Sequence, residues 1–216
     1  MIAYFDCYSG IGGDMSLGAL IDAGVPLDTL TEELRRLPLD GYELKAESVT
    51  SHGIKGTRVQ VRQDQHSEGE HSQHHGHRHL LDIERIISNS SLSDRVKEQS
   101  LAIFRRLAEA EAAAHGCSVA EFHFHEVGAV DTIVDVVGSA IGLAYLGIEK
   151  VYASSLPLGS GTIVCEHGTL PVPAPAVLEL CRLAGAPVMP SDVDAELVTP
   201  TGAAILSALA TFQRPR

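Results

Sequence analysis

Residues 129–147 read AVDTIVDVVGSAIGLAYLG, and the nature of the fold turns on how this run is read. Nearly every helical face of 129–146 is hydrophobic, the mark of a helix surrounded on all sides by apolar matter. A bilayer is one such surrounding. Asp131 and Asp135 argue against it, since each would cost about 2.5–3.5 kcal/mol near a membrane centre. The run also carries several small residues and lacks the usual basic flank. A helix buried in a protein core is therefore expected. The two aspartates are spaced i, i+4 and share one face, which Gly138, Ser139 and Gly142 continue. Carboxylates aimed into a crowded apolar interior require a metal, a Lys or Arg, or a protonated ligand to balance them. The alternative is that Asp131 caps the helix start and Asp135 pairs with an arginine.

Working upstream, FHFHEVG places His123 and His125 two apart, on one face of an extended segment, with Glu126 next. Together with Asp131 and Asp135 these supply enough nitrogen and oxygen donors for a transition metal. The zincin HExxH pattern is absent. Exposed or core-satisfied histidines are the competing reading. Before this, 80–88 and 92–115 have helical periodicity, the latter stopping at Gly116. From Gln63 to His79 the chain has almost nothing apolar and holds His66, His71, His74, His75, His77 and His79. A disordered loop is expected there, serving metal delivery or storage or only solubility.

Residues 42–62 alternate like two short strands around SHGIKG. The chain opens as strand (Ile2 to Phe5), Gly-rich turn (DCYSGIGGD) and helix, with a second helix over 27–37 closed by Pro38. The turn, through Ser9, Gly10, Gly12 and Gly13, could present backbone N–H groups to an anion. It matches neither GxxxxGK[ST] nor GxGxxG, and Asp6 and Asp14 flank it, so a plain tight turn explains it as well.

Downstream, Gly and Pro punctuate short strand segments, a helix follows over 175–184, and ELVTPTGAAILSAL ends in a turn and a helix. Cys165 and His167 would face one side of a strand and suit nickel or zinc, although a structural cysteine is the simpler reading. Thr199, Thr201 and Gly202 form a second candidate anion turn, which N-capping by Thr explains almost equally well. The alternation of strand and helix signals points to an α/β or mixed α+β layered fold, with strand order not derivable.

Composition narrows the partners. The 216 residues include 16 Lys+Arg and 28 Asp+Glu, a formal charge of −12, with 5% aromatics and no Trp. Nucleic acid is disfavoured, because it needs a basic face and stacking platforms. No signal peptide or membrane anchor is expected, and four cysteines without a CxxC pair suit a reducing cytoplasm.

Five segments together resemble the nickel-insertion (LarC) family of nickel-pincer nucleotide biosynthesis: DCYSGIGGDMSLGALIDAG, HHGHRHLLDIERII, FHEVGAVDTIVDVVG, LPLGSGTIVCEHGTLPVPAPA and ELVTPTGAAIL. The resemblance implies insertion of nickel into pyridinium-3,5-bisthiocarboxylic acid mononucleotide, a cyclometallation that yields the cofactor of lactate racemase. It implies consumption of CTP with Mn²⁺ or Mg²⁺, and a C-terminal half, associated with CTP, that this chain lacks. A single nickel-insertion domain over 1–216 is expected. The residues expected at the reacting centre are Asp6, Asp14, His125, Glu126, Asp131 and Asp135. His123, Cys165, His167 and the loop histidines His74, His75, His77 and His79 are metal candidates, and the two turns are phosphate candidates. A nickel carrier acting through its histidine loop is the alternative, and an oligomer built on the apolar helix is a third.

Overall fold

A computed structural model describes residues 1–63, 78–124, 130–165 and 168–215. The mixed α and β character read from the sequence is observed. β1 (Ile2–Phe5) runs through the Gly-rich turn into α1 (Gly13–Asp22), and α2 (Leu27–Leu34) follows. β2 (Tyr42–Ser51) and β3 (Ile54–Gln63) pair antiparallel about His52 and Gly53, both of which have positive φ, 50° and 80°. Next come β4 (Arg78–His79), α3 (Leu80–Ser88), α4 (Asp94–His115) and β5 (His123–Phe124). α5 (Val130–Tyr145) leads to β6 (Lys150–Ala153), β7 (Leu156–Leu158), β8 (Thr162–Cys165) and β9 (Gly168–Pro171). α6 (Pro175–Ala184), β10 (Val188–Pro190), α7 (Pro200–Leu209) and β11 (Ala210–Thr211) complete the order.

Local chemistry explains most boundaries. Ser93 caps α4 by accepting from the Val96 N–H, and Gly116 ends it in the left-handed conformation, φ 67°. Pro175 and Pro200 stand in the first turns of α6 and α7, where a missing N–H costs nothing. α2 stops at Leu34, short of the expected 37. Arg36 and Leu37 bond back to Glu33 and Leu34 in tighter turns before Pro38 is reached.

The main sheet has three parallel strands in the order β1-β6-β11, with Ile2 opposite Lys150 and Phe5 opposite Ala153. β7 and β10 pair in parallel, while β4–β5 and β8–β9 are short antiparallel ribbons. Parallel neighbours require long crossovers, here supplied by the helices. The buried side chains form one contiguous cluster in which α4 packs on α3, α5, α6 and α7. α5 is the interior helix the sequence predicts: from Thr132 to Leu143 every residue but Asp135 is buried. No helix among the described residues is long and apolar enough to cross a membrane.

The small residues of α5 serve close helix packing. A Cβ on Gly138 would lie 2.8 Å from Leu17 Cδ2, and one on Gly142 2.9 Å from Leu20 Cδ1. α1 therefore sits against α5 at a separation that a larger stripe would forbid. Its opposite side is tied to β3, where Asp22 accepts from the Thr57 N–H at 3.0 Å and from its hydroxyl at 2.7 Å. These two contacts tie the C-terminal end of α1 to the hairpin, while Gly13 at its start lies against Asp135 in the first half of α5.

Candidate functional site

At that junction Asp135 meets Gly13. A Cβ on Gly13 would stand 2.9 Å from the Asp135 Cβ, so glycine is what allows the carboxyl to lie against the first turn of α1. Asp135 Oδ1 is buried and has no hydrogen-bond partner. Burial is the main cause that drives its pKa up to about 8, and the charges of Asp14 and Asp131 add to it. None of these three influences is a cation, so the arginine partner allowed by the sequence is not found. The partial positive charge of the helix start favours the anion but does not offset the other effects.

Asp131 departs from expectation. It is exposed, with Oδ1 accepting from the Thr132 N–H at 2.8 Å. The i, i+4 spacing does put both acids on one face, but the first turn of α5 leaves the core before Asp131 is covered. Asp14 is exposed too, so one half-buried acid is flanked by two solvated ones. Asp6 is exposed and lies apart, in a cleft of about 430 Å³ at the carboxyl ends of β1 and β6 that Tyr8, Ser154 and Arg214 also line.

The two candidate anion turns, from opposite ends of the chain, lie side by side. Ile11 and Val198 form a parallel bridge, with Ile11 N–H donating to Leu197 O at 2.9 Å and Thr199 N–H to Ile11 O at 3.0 Å. Gly10 has φ 95°, and a Cβ there would overlap the Leu197 carbonyl; one on Gly202 would sit 3.0 Å from Gly12 Cα. Some of the donors are already used. Gly10 N–H goes to Cys7 O and Gly202 N–H to the Thr199 hydroxyl, which caps α7. The capping reading of Thr199 is thus realised. Ser9 is exposed and Thr201 half-buried.

Among the metal candidates, His79 and His123 are brought together. They pair in register across β4 and β5, their rings 3.7 Å apart between centroids and tilted by 43°. The Asp82 carboxylate accepts the His79 backbone N–H and starts α3 there. The ends of the expected histidine loop are ordered instead as strand, Gln63 in β3 and Arg78 and His79 in β4, while 64–77, with His66, His71, His74, His75 and His77, lie outside the described residues, as do His125, Glu126 and His167. Among the described residues no three His, Cys, Asp or Glu side chains converge closely enough to hold a metal. Cys7 and Cys181 are buried, and burial pushes the Cys7 thiol up to about 11, so it behaves as a core filler.

Sequence reasoning missed one cavity. It has a volume of about 220 Å³, and Glu111, His115, Cys165 and Glu196 line it beside Phe122 and Phe124. A signal did exist for two of these: Glu111 and His115 are i, i+4 on the last turns of α4 and share its face. Nothing in the local pattern marks Glu196. The segment 196–200 joins the cavity to the α1 turn, since Leu197 and Thr199 bond Ile11 while Glu196 and Pro200 face the cavity.

Comparison with known proteins places this arrangement. Residues 3–216 match the family model described as nickel insertion protein. A Roseiflexus castenholzii protein, also named for nickel insertion, is 55% identical over 214 residues, 99% of this chain and 52% of its own length. The pyridinium-3,5-bisthiocarboxylic acid mononucleotide nickel insertion protein of Desulfitobacterium hafniense is 54% identical over 207 residues, 95% of this chain and 49% of its own. The chain spans about half the length of the curated relatives it matches. No solved structure is detectably similar. On the match along nearly its whole length, the chain belongs to the nickel insertion protein family.

Proposed function

We propose that this chain is the nickel-inserting part of a CTP-dependent cyclometallase acting on pyridinium-3,5-bisthiocarboxylic acid mononucleotide. The substrate is that named for the Desulfitobacterium relative, and nickel is the cargo. The observation that carries the reading is Asp135: a half-buried carboxyl whose Oδ1 is shielded from solvent without a hydrogen-bond partner, its pKa raised to about 8 by burial and by the charges of Asp14 and Asp131. Forming a nickel–carbon bond on the ring breaks a ring C–H bond, and the proton needs an acceptor. A carboxylate whose pKa lies near the working pH is well matched to that task. In this reading Asp14 and Asp131 hold the incoming dication near Asp135, and Ser9, Gly12, Gly13 and Thr201 are left to receive the phosphate of the mononucleotide. His79 and His123, with His125, Glu126, Cys165, His167 and the loop histidines, hand nickel toward them.

A triphosphate does not fit these turns. Neither 6–13 nor 197–202 contains a Lys or Arg, and Asp6 and Asp14 stand beside the first. We therefore assign CTP and its Mn²⁺ or Mg²⁺ to a second half of the kind the longer relatives carry, and assign the reaction to the cytoplasm, where four free cysteines are at home. The family's naming for insertion favours this over a nickel carrier.

The test is an insertion assay with both halves present, read by the mass and absorbance of the nickel-loaded nucleotide. Asp135→Asn is expected to lower the rate at least ~100-fold, the scale of losing a general base, with the fold retained. Deleting 64–77 is expected to raise the nickel concentration needed and leave the maximal rate within a fewfold. Full activity in Asp135→Asn, or total loss on the deletion, would refute the assignment.

A further inference from the structure

We infer that the open edge of β1, with the apolar groove between it and α1, is where an extended strand from the second half of the longer relatives adds to the main sheet. This rests on that second half, to which CTP is assigned above, and adds how it is held. β1 stands at one end of the order β1-β6-β11, so among the described residues no strand pairs with its other side. Met1 O accepts from the Glu149 N–H at 2.7 Å and Phe5 O from the Ser154 N–H at 2.9 Å, so the odd positions of β1 face β6. Alternation then turns the N–H and C=O of Ile2 and Tyr4 to the open side. Sheet edges are ordinarily blunted by Lys, Pro, a bulge or a covering loop. The IAYF of β1 carries no charge and no proline, and its register with β6 runs without a bulge.

A groove of about 480 Å³ runs along this edge. β1 forms one wall, and Met15, Ala19 and Ala23, each one helical turn from the next, line the other. Ile2 is 50% exposed and Met15 49%, and a strand laid along the edge would cover both. The two alanines leave room for branched side chains at its alternate positions. Main-chain bonds to an open edge, with side-chain pockets beside it, are the means by which extended segments are bound by strand addition. A second copy of this chain suits the edge badly. Joined there about a two-fold axis normal to the sheet, each α1 would come over the other copy's β1. Helices need about 8–10 Å between their axes, whereas neighbouring strands stand about 4.8 Å apart. Each copy also carries a formal charge of −12. A bare strand from the second half brings no helix with it. The Roseiflexus and Desulfitobacterium relatives match this chain over 52% and 49% of their length, so the remainder belongs to the same polypeptide. Such tethering raises its effective concentration to about the millimolar range. The groove also reaches the Gly-rich turn, since Gly10 and Ile11 line it, so the added strand would set the second half beside the turn given to the mononucleotide phosphate.

The experiment is amide hydrogen exchange resolved by residue, without nickel or nucleotide. It compares the chain alone, the full-length Roseiflexus relative, and the chain joined to that relative's second half. In the chain alone the Tyr4 amide is expected to exchange at least about tenfold faster than that of Phe5, which faces β6. In the full-length relative the amide matching Tyr4 should be slowed about tenfold or more, and in the joined protein Tyr4 itself. Ala19→Arg alters an exposed position and fills the groove. It should return Tyr4 in the joined protein to its rate in the chain alone, while a protected Phe5 reports that the sheet is intact. Equal Tyr4 rates in the chain alone and in the relative would overturn the inference, whatever the variant does to folding. So would a Tyr4 amide that stays slow in Ala19→Arg with Phe5 protected. Slowing that grows with the concentration of the chain alone would put a second copy at the edge instead. No turnover enters the readout, so a fully active Asp135→Asn would sink the insertion mechanism alone, and equal exchange rates would sink the strand addition alone.

Discussion

Asp135 is costly to keep, and its cost depends on pH in a definite direction. Burial and the neighbouring acids push its carboxyl up to about 8 in the folded chain, well above the ordinary aspartate value of about 4. Below about pH 4 it is protonated in both folded and unfolded states and has no effect. As pH rises from about 4 to about 8, the unfolded chain releases the proton while the folded chain retains it, so stability falls; above about 8 the penalty is constant. Asp135→Asn is therefore expected to stabilise the protein, by about 1–4 kcal/mol at pH 8 and by little at pH 4.5, in denaturant titrations at the two values. A bound dication would reverse the sign, since it favours the ionised form. A gain at high pH combined with lost insertion is the signature of a side chain retained for chemistry at the expense of stability. A difference independent of pH would mean that Asp135 is not protonated in the folded state.

Among the elements, the α1–α5 contact holds this acid in place. Gly138 and Gly142 let Leu17 and Leu20 approach, and Gly13 lets Asp135 approach. Gly138→Ala puts a methyl 2.8 Å from Leu17 Cδ2, which must move. Ala has the better helix propensity by about 1 kcal/mol, so overpacking has to exceed that gain to show. A net loss of about 1–2 kcal/mol is expected, and the same change made in a Leu17→Ala background, where the new methyl has room, should cost little beyond what Leu17→Ala costs by itself. The cycle is read from the midpoints of urea unfolding, and additive effects would place the tight contact elsewhere.

For the molecule as a whole, α4 is the common support of the core. It carries fully buried Ile103, Phe104 and Leu107 and packs on four other helices, and its last turns bring Glu111 and His115 to the cavity. Phe104→Ala should cost about 3–5 kcal/mol by calorimetric melting. A loss below about 1 kcal/mol would show that the helices packed on α4 close over the gap.

Much of the local structure was legible in the residues. The limits of β1, the β2–β3 hairpin, α3, α6 and the interior helix α5 follow from hydrophobic period, Pro and Gly placement and capping, all of which act within a few residues. So do the two Gly- and Thr-rich turns and the turning of Asp135 toward the interior. Strand order was not legible, because a four-residue strand such as β1 carries no mark of its partner, and β6 is chosen by packing across more than 140 positions. Tertiary structure also decided that Asp135 of the i, i+4 acid pair is half-buried while Asp131 stays in solvent. A helical repeat gives the face, but only the neighbouring helices give the depth at which that face leaves the core. Glu196 was hidden for the same reason: it lines a cavity with Glu111 and His115 of α4, a neighbourhood that no nearby residue encodes. Short-range sterics and hydrogen bonding are written along the chain, whereas desolvation, and with it the raised pKa of Asp135, exists only once distant segments close around it.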